Sequence, residues 1–196
     1  LADTEALVAR VFDTVTGNTV ITYGGQRIDL TPPWPRLTVR DAYRRWAQWD
    51  PVKDWDANRF DVDMVERIEP ALPRDTPCVL IDYPAPAASL ARLNDGDPRV
   101  AERWEVYIGG LELGNAYSEL CDPTAQRERF LQAADERLAL GKSVYPLDEA
   151  FLRALERGMP PCGGIALGMD RLVMLACDAA DIAAIRPFCE RPGALL

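Results

Sequence analysis

The chain has 196 residues, with 22 Lys and Arg against 31 Asp and Glu, a formal net charge of −9 and no His. Without His, a Ser-His-Asp or Cys-His nucleophile system is excluded within the chain, and the commonest zinc ligand is missing too. The acidic balance argues against broad electrostatic binding of nucleic acid, which needs clustered Lys and Arg, though not against a local basic site.

In chain order, a helix is predicted over 3–16, where Leu7, Val8, Val11, Phe12 and Val15 follow helical spacing. Residues 19–23 and 26–30 flank Gly24-Gly25, a two-residue hairpin signal. Pro32, Pro33 and Pro35 then break regular structure. Thr38 is placed to cap a helix carrying Val39, Ala42, Tyr43 and Trp46. Another helix is predicted over 61–71, with Met64, Val65, Ile68 and Ala71 on one face. A short apolar strand covers 78–83, and 85–99 reads as a loop. Residues 99–108 and 111–120 form the clearest hairpin, turning at Gly109-Gly110. Asp122 caps a helix running towards Gly141, with Pro123 suited to its first position. A shorter helix follows Asp148 and ends near Gly158. A glycine-rich strand over 163–168 leads into a helix over 170–176. Hairpins and helices mix without regular βαβ alternation, so the class is α+β, an antiparallel β-sheet flanked by helices.

Length alone predicts one domain, or one and a part, at about 150 residues per domain. No apolar run approaches the roughly 20 residues of a membrane span. The segment Leu1-Ala2-Asp3-Thr4-Glu5 lacks the features of a signal peptide. Cys78, Cys121, Cys162, Cys177 and Cys189 are scattered and never form a Cys-x-x-Cys pair. They fit reduced, packed thiols in a cytoplasmic protein better than a disulfide framework or a zinc site.

A two-residue loop in the central hairpin pairs Ile108 with Leu111, Tyr107 with Glu112, and Glu105 with Gly114. Trp104, Val106, Ile108, Leu111 and Leu113 then share a core face, and Glu105, Tyr107 and Glu112 share the other. Glu105 and Glu112 become diagonal neighbours, with Cβ atoms at most roughly 7–8 Å apart. Such a pair is unfavourable without a positive charge between its members, and it suits Mg²⁺. Beyond Gly114 the apolar parity changes, as a bulge would require. Asn115, Tyr117 and Glu119 then join the polar face, which suits a cationic, polar small molecule. The same pattern also suits a solvated sheet face, since exposed strand carboxylates are common.

The run RWEVYIGGLELGNAYSELCDP over 103–123, followed by QRERF at 126–130, resembles class II lysyl-tRNA synthetases. The run GGIALGMDRLVML over 163–175 resembles motif 3 of the same group, and IDLTPPW at 28–34 and IDYP at 81–84 resemble further segments. The similarity covers nearly the whole chain. Within the group, Ser89-Leu90-Ala91, residues 97–103 and residues 158–168 resemble the shorter paralogue that attaches β-lysine to elongation factor P. Ala166 stands where the true synthetases usually carry Gly, whereas Ser118 departs from the His usual in the paralogue.

The resemblance implies a class II catalytic core that uses ATP and Mg²⁺ to activate lysine or β-lysine. It implies Glu105 and Glu112 as metal ligands, and Glu112, Leu113, Gly168 and Arg171 as ATP contacts, with Arg171 the catalytic residue. Asn115, Tyr117, Glu119 and Ala166 would line the amino-acid pocket, Glu119 meeting the ε-ammonium. The acceptor would be elongation factor P, or alternatively tRNA-Lys. A truncated, non-catalytic module that binds a nucleotide or a partner is the alternative of another class. The resemblance implies a cytoplasmic homodimer for the full-length protein. No motif 1 and no motif 2 is found in the chain, which begins with Leu. Residues 1–196 are therefore expected to be the C-terminal portion of a longer catalytic domain, incomplete and inactive alone.

Overall fold

The computed structural model describes residues 1–188, so Cys189 of the sequence lies outside the described residues. Helix α1 (Ala2–Thr16) buries Val8 and Phe12 and ends at Gly17, whose φ of 74° is the left-handed C-cap conformation. Its apolar face is narrower than the sequence predicts, because Leu7 is 50% and Val15 68% exposed. Thr4 and Glu5 are buried in their place, and Glu5 accepts the Trp34 N–H at 3.2 Å. Strands β1 (Val20–Tyr23) and β2 (Gln26–Asp29) form the expected hairpin as a separate two-stranded sheet.

The main sheet has the order β3-β4-β5-β6-β7. Its strands are β3 (Arg36–Thr38), β4 (Cys78–Pro84), β5 (Val100–Ile108), β6 (Leu111–Ser118) and β7 (Gly163–Leu167). All neighbours are antiparallel except β3 and β4, which are parallel. Strand β3 falls where prolines and a helix cap were the visible signals.

Thr38 does cap α2 (Val39–Ala42), accepting the Asp41 N–H at 3.0 Å. The helix then widens into a π-helical turn, Tyr43–Ala47. Helix α3 (Ala57–Asp63), capped by Asp56, widens likewise into a π turn, Met64–Ile68, and ends in a 3₁₀ turn, Glu69–Ala71. The single helix expected over 61–71 is thus three pieces. The i→i+5 bonds of a π turn change the repeat. Phe60, Met64, Ile68 and Leu72 point inwards, every fourth residue, while Val65 is 63% exposed. Helices α4 (Pro123–Ala139) and α5 (Glu149–Glu156) follow the expected caps Asp122 and Asp148, and α6 (Met169–Cys177) follows the glycine-rich strand.

The sheet separates two cores. On one face Val79, Val106, Ile108 and Leu113 pack against α1, the β1–β2 hairpin and α6. On the other, Cys78, Leu80, Tyr83 and Tyr107 pack under α2, α3 and their π turns. The face expected to be open and polar is therefore partly roofed, and Tyr107 is buried. Among the described residues, no helix is long and apolar enough to cross a membrane.

Candidate active site

The β5–β6 hairpin sets the site. Ile108 faces Leu111 and Tyr107 faces Glu112, as expected. The register then shifts, so that Val106 faces Gly114 and Glu105 faces Asn115. The pairing of Glu105 with Gly114 drawn from the sequence is thus corrected by one residue. Leu113 is the extra residue of the bulge. A Cβ on Gly114 would lie 3.1 Å from Ile165 Cδ1 and 3.2 Å from the Ala166 carbonyl, so the close approach of β7 favours glycine there. Past the bulge, Asn115 and Tyr117 rise on the same face as Glu105, with Arg103 opposite Tyr117.

Glu105 is buried among four donors. Its Oε1 accepts from Arg103 Nη2 at 2.6 Å and from Asn115 Nδ2 at 2.7 Å. Its Oε2 accepts from the Tyr83 hydroxyl at 2.5 Å and the Tyr107 hydroxyl at 2.8 Å. Burial first, and the Glu105 charge second, push both phenols above their ordinary pKa. They therefore stay protonated as donors. The Arg103 guanidinium lies 4.3 Å from the Tyr83 ring centre and donates to the Ala87 carbonyl at 2.8 Å. Asn115 Oδ1 is buried without a partner.

A cleft of about 540 Å³ lies over this floor, bounded by Trp55, Phe60, Glu69, Arg103, Glu105 and Glu112 among others. Glu69 comes from the 3₁₀ turn, with Oε1 3.4 Å from the Tyr107 hydroxyl. Its pKa is raised, by burial first and also by Glu105 and Glu112, against the lowering effects of Tyr107 and Arg171. Glu69 and Glu105 thus both reach the Tyr107 phenol, and Glu112 pairs with Tyr107 across the hairpin.

Arg171 enters from the first turn of α6. Its Nη1 donates to the Glu112 carbonyl at 2.5 Å and lies 3.5 Å from Glu112 Oε2. The Leu113 side chain is buried in the core, and its carbonyl accepts the Gly168 N–H at 2.8 Å. A Cβ on Gly168 would meet Leu113 O at 3.4 Å and Arg171 Cδ at 3.5 Å, ordinary contacts, so protein packing alone does not demand glycine there.

Farther along β6, Ala166 pairs with Asn115 and Gly164 with Tyr117. Glu119 reaches back over Gly164, where an added Cβ would lie 2.6 Å from its Oε1. Glu119 thus shares the face of Tyr117, as the bulge requires. Among the described residues it forms no ion pair, whereas Glu105 is paired with Arg103 and Glu112 with Arg171.

Hard oxygen donors of this kind fit Mg²⁺, which takes one or two carboxylates and completes its shell with water or phosphate. Glu112 is the open member, its side chain 35% exposed. Each Glu105 oxygen already accepts two hydrogen bonds, and a carboxylate offers about four such positions. Glu105 would have to release one donor before it could meet a cation. Among the described residues, no three His, Cys, Asp or Glu side chains form a ready cage.

The family model for class II tRNA synthetases of the D, K and N group matches residues 1–192. The chain belongs to that family. This class II chain is 40% identical over 198 residues to a lysine–tRNA ligase of Moorella thermoacetica, an alignment covering 91% of the chain and 40% of the relative. A lysine–tRNA ligase of Anaeromyxobacter sp. is 37% identical over 212 residues, covering 91% and 41%. One from Clostridium perfringens is 37% identical over 201 residues, covering 91% and 40%. The chain spans about two-fifths of the length of these relatives. None of the three names supports the β-lysine paralogue or an elongation factor P acceptor, and each favours the tRNA alternative. In this class II chain, sequence reasoning gave no role to Tyr83, Arg103 or Glu69. Arg103 lay within the resembling block, and its alternation with Glu105 was a usable signal; nothing local marked Glu69.

Proposed function

We propose that this chain is part of the catalytic domain of a lysine–tRNA ligase, activating a lysine-type amino acid with ATP for transfer to tRNA-Lys. The observation that carries the reading is Glu119, a half-buried carboxylate over Gly164 with no cationic partner among the described residues. Such a group stabilises an ammonium and rejects neutral side chains. The unpaired Asn115 Oδ1 and the Tyr117 ring extend that site along β6. Ala166 closes its floor beside Asn115.

Glu112, with Glu105, would hold Mg²⁺, whose charge offsets that of the polyphosphate and helps orient it. Arg171, a permanent planar cation at the rim, binds phosphate oxygens or stacks on the adenine, and Gly168 leaves room beside it. The Leu113–Gly168 backbone hydrogen bond fixes that corner. In the activation step an amino-acid carboxylate oxygen attacks the α-phosphorus and the bond to pyrophosphate breaks. The chain's part is to position both reactants and stabilise charge, which needs no His.

The test is ATP–pyrophosphate exchange and tRNA charging by the full-length protein that contains this chain, comparing lysine, β-lysine and arginine. Lysine-dependent exchange followed by charging of tRNA-Lys is expected. Glu119→Gln should weaken lysine binding by about 2–4 kcal/mol, roughly 30- to 1000-fold. Exchange with β-lysine alone would move the reading to the elongation factor P paralogue. Exchange with no amino acid would overturn it.

A further inference from the structure

Cys121 and Cys162 meet at one end of the sheet. The pairing of Ser118 with Gly163 continues one step farther, through a 2.9 Å hydrogen bond from the Glu119 N–H to the Cys162 carbonyl. Cys121, two residues beyond Glu119, leaves the strand beside that facing segment. Its Sγ is turned onto the facing segment, 3.6 Å from the Pro160 carbonyl and 3.5 Å from that of Glu119. Both cysteines border one cleft of about 430 Å³, with Arg92, Glu119 and Asp122. Cys162 is exposed and Cys121 half-buried, so an oxidant reaches both, while Cys78 is buried.

We propose that Cys121 and Cys162 form a reversible disulfide when the protein meets a peroxide, a redox-sensitive modification site beside Glu119. The bridge needs Cα atoms within about 7 Å, so the two segments that border this cleft must close to that separation. Either thiolate attacks one peroxide oxygen, giving the sulfenic acid and hydroxide. The other thiolate then attacks that sulfur, the S–S bond forms and hydroxide leaves. In sum, two thiols and one hydrogen peroxide give one disulfide and two waters. The bridge ties the end of β6 to the start of β7, the two segments around Glu119. Its formation does not rest on the lysine reading.

The experiment treats the folded chain with hydrogen peroxide, blocks free thiols with N-ethylmaleimide and maps peptides without reduction. The expected product is an intrachain Cys121–Cys162 peptide pair, lighter by two hydrogens and restored to free thiols by dithiothreitol. The oxidised chain should melt several degrees higher, as closing the loop between Cys121 and Cys162 implies for a domain of this size. Cys162→Ser should leave Cys121 as a sulfenic acid that dimedone traps, and Cys121→Ser should abolish the link. Circular dichroism verifies that both variants fold. Free maleimide-blocked Cys121 and Cys162 after peroxide, or links to Cys177 or to a second copy instead, would overturn the proposal.

Discussion

Glu105 shows how one residue fixes the floor of the cleft. A buried carboxylate is tolerated only where its charge and its lone pairs are met. Here one guanidinium, one amide and two phenols meet them, drawn from β4, β5 and β6. Removing the cation while leaving the acid is the costly change. Arg103→Met keeps the stem but strands the Glu105 charge, at about 3–5 kcal/mol. Tyr83→Phe removes one bond to a charged group, at about 1.5–3 kcal/mol. Urea titrations of the two variants should therefore rank Arg103→Met below Tyr83→Phe in stability. The reverse order would mean that water or Glu105 protonation relieves the stranded charge. Glu69 belongs to the same cluster with the opposite sign. Its raised pKa means that its ionised form is disfavoured in the fold. Its contribution to stability is present below the ordinary glutamate range and is lost as pH rises through the raised folded value. Burial first, and then Glu105 and Glu112, disfavour its charged form, and a cation in the cleft would offset that penalty.

At the scale of elements, the bulge and the glycines of β7 decide which side chains share the site. Without the shift at Leu113, Asn115, Tyr117 and Glu119 would face the core with Val106. Gly164→Ala tests this arrangement without touching a charge. The new Cβ would lie 2.6 Å from Glu119 Oε1, the far end of a side chain that can swing away. Stability should change by less than about 1 kcal/mol, as for most substitutions outside a packed core. Lysine affinity should fall as Glu119 is displaced, measured by calorimetry on the full-length protein. Unchanged affinity would separate Glu119 from the amino-acid site. These features were legible because they are local: two glycines in a turn, a parity change after Gly114, caps at Thr38, Asp122 and Asp148. Strand β3 was not legible, because three residues carry no periodicity and their partners Val79–Ile81 lie some forty residues on. Glu69 was hidden for the same reason. A π turn and a 3₁₀ turn carry it to Tyr107, and nothing in the sequence of 61–71 marks that change of repeat.

For the whole molecule, stability is distributed unevenly about the sheet. Strands β4 and β5 lie inside the sheet with cores on both faces, and Val79, Leu80, Val106 and Ile108 are fully buried. Helix α4 is different: of its 17 residues Gln126 alone is buried, while Leu131 is 48% and Leu138 68% exposed. It is held by contacts such as Arg129 donating to the Ser89 and Ala91 carbonyls and Phe130 lying 6.0 Å from Phe151. Regions with few buried apolar contacts open at lower free energy than the global transition. Native-state hydrogen exchange on this chain should therefore show β5 amides exchanging through global unfolding. Those of α4 should exchange at least about 100-fold faster, a gap of about 2.7 kcal/mol. Equal protection of α4 and β5 in dilute solution would contradict this picture of the fold. Protection of α4 that grows with protein concentration would instead show its exposed leucines being covered by a second copy, since association stabilises by mass action.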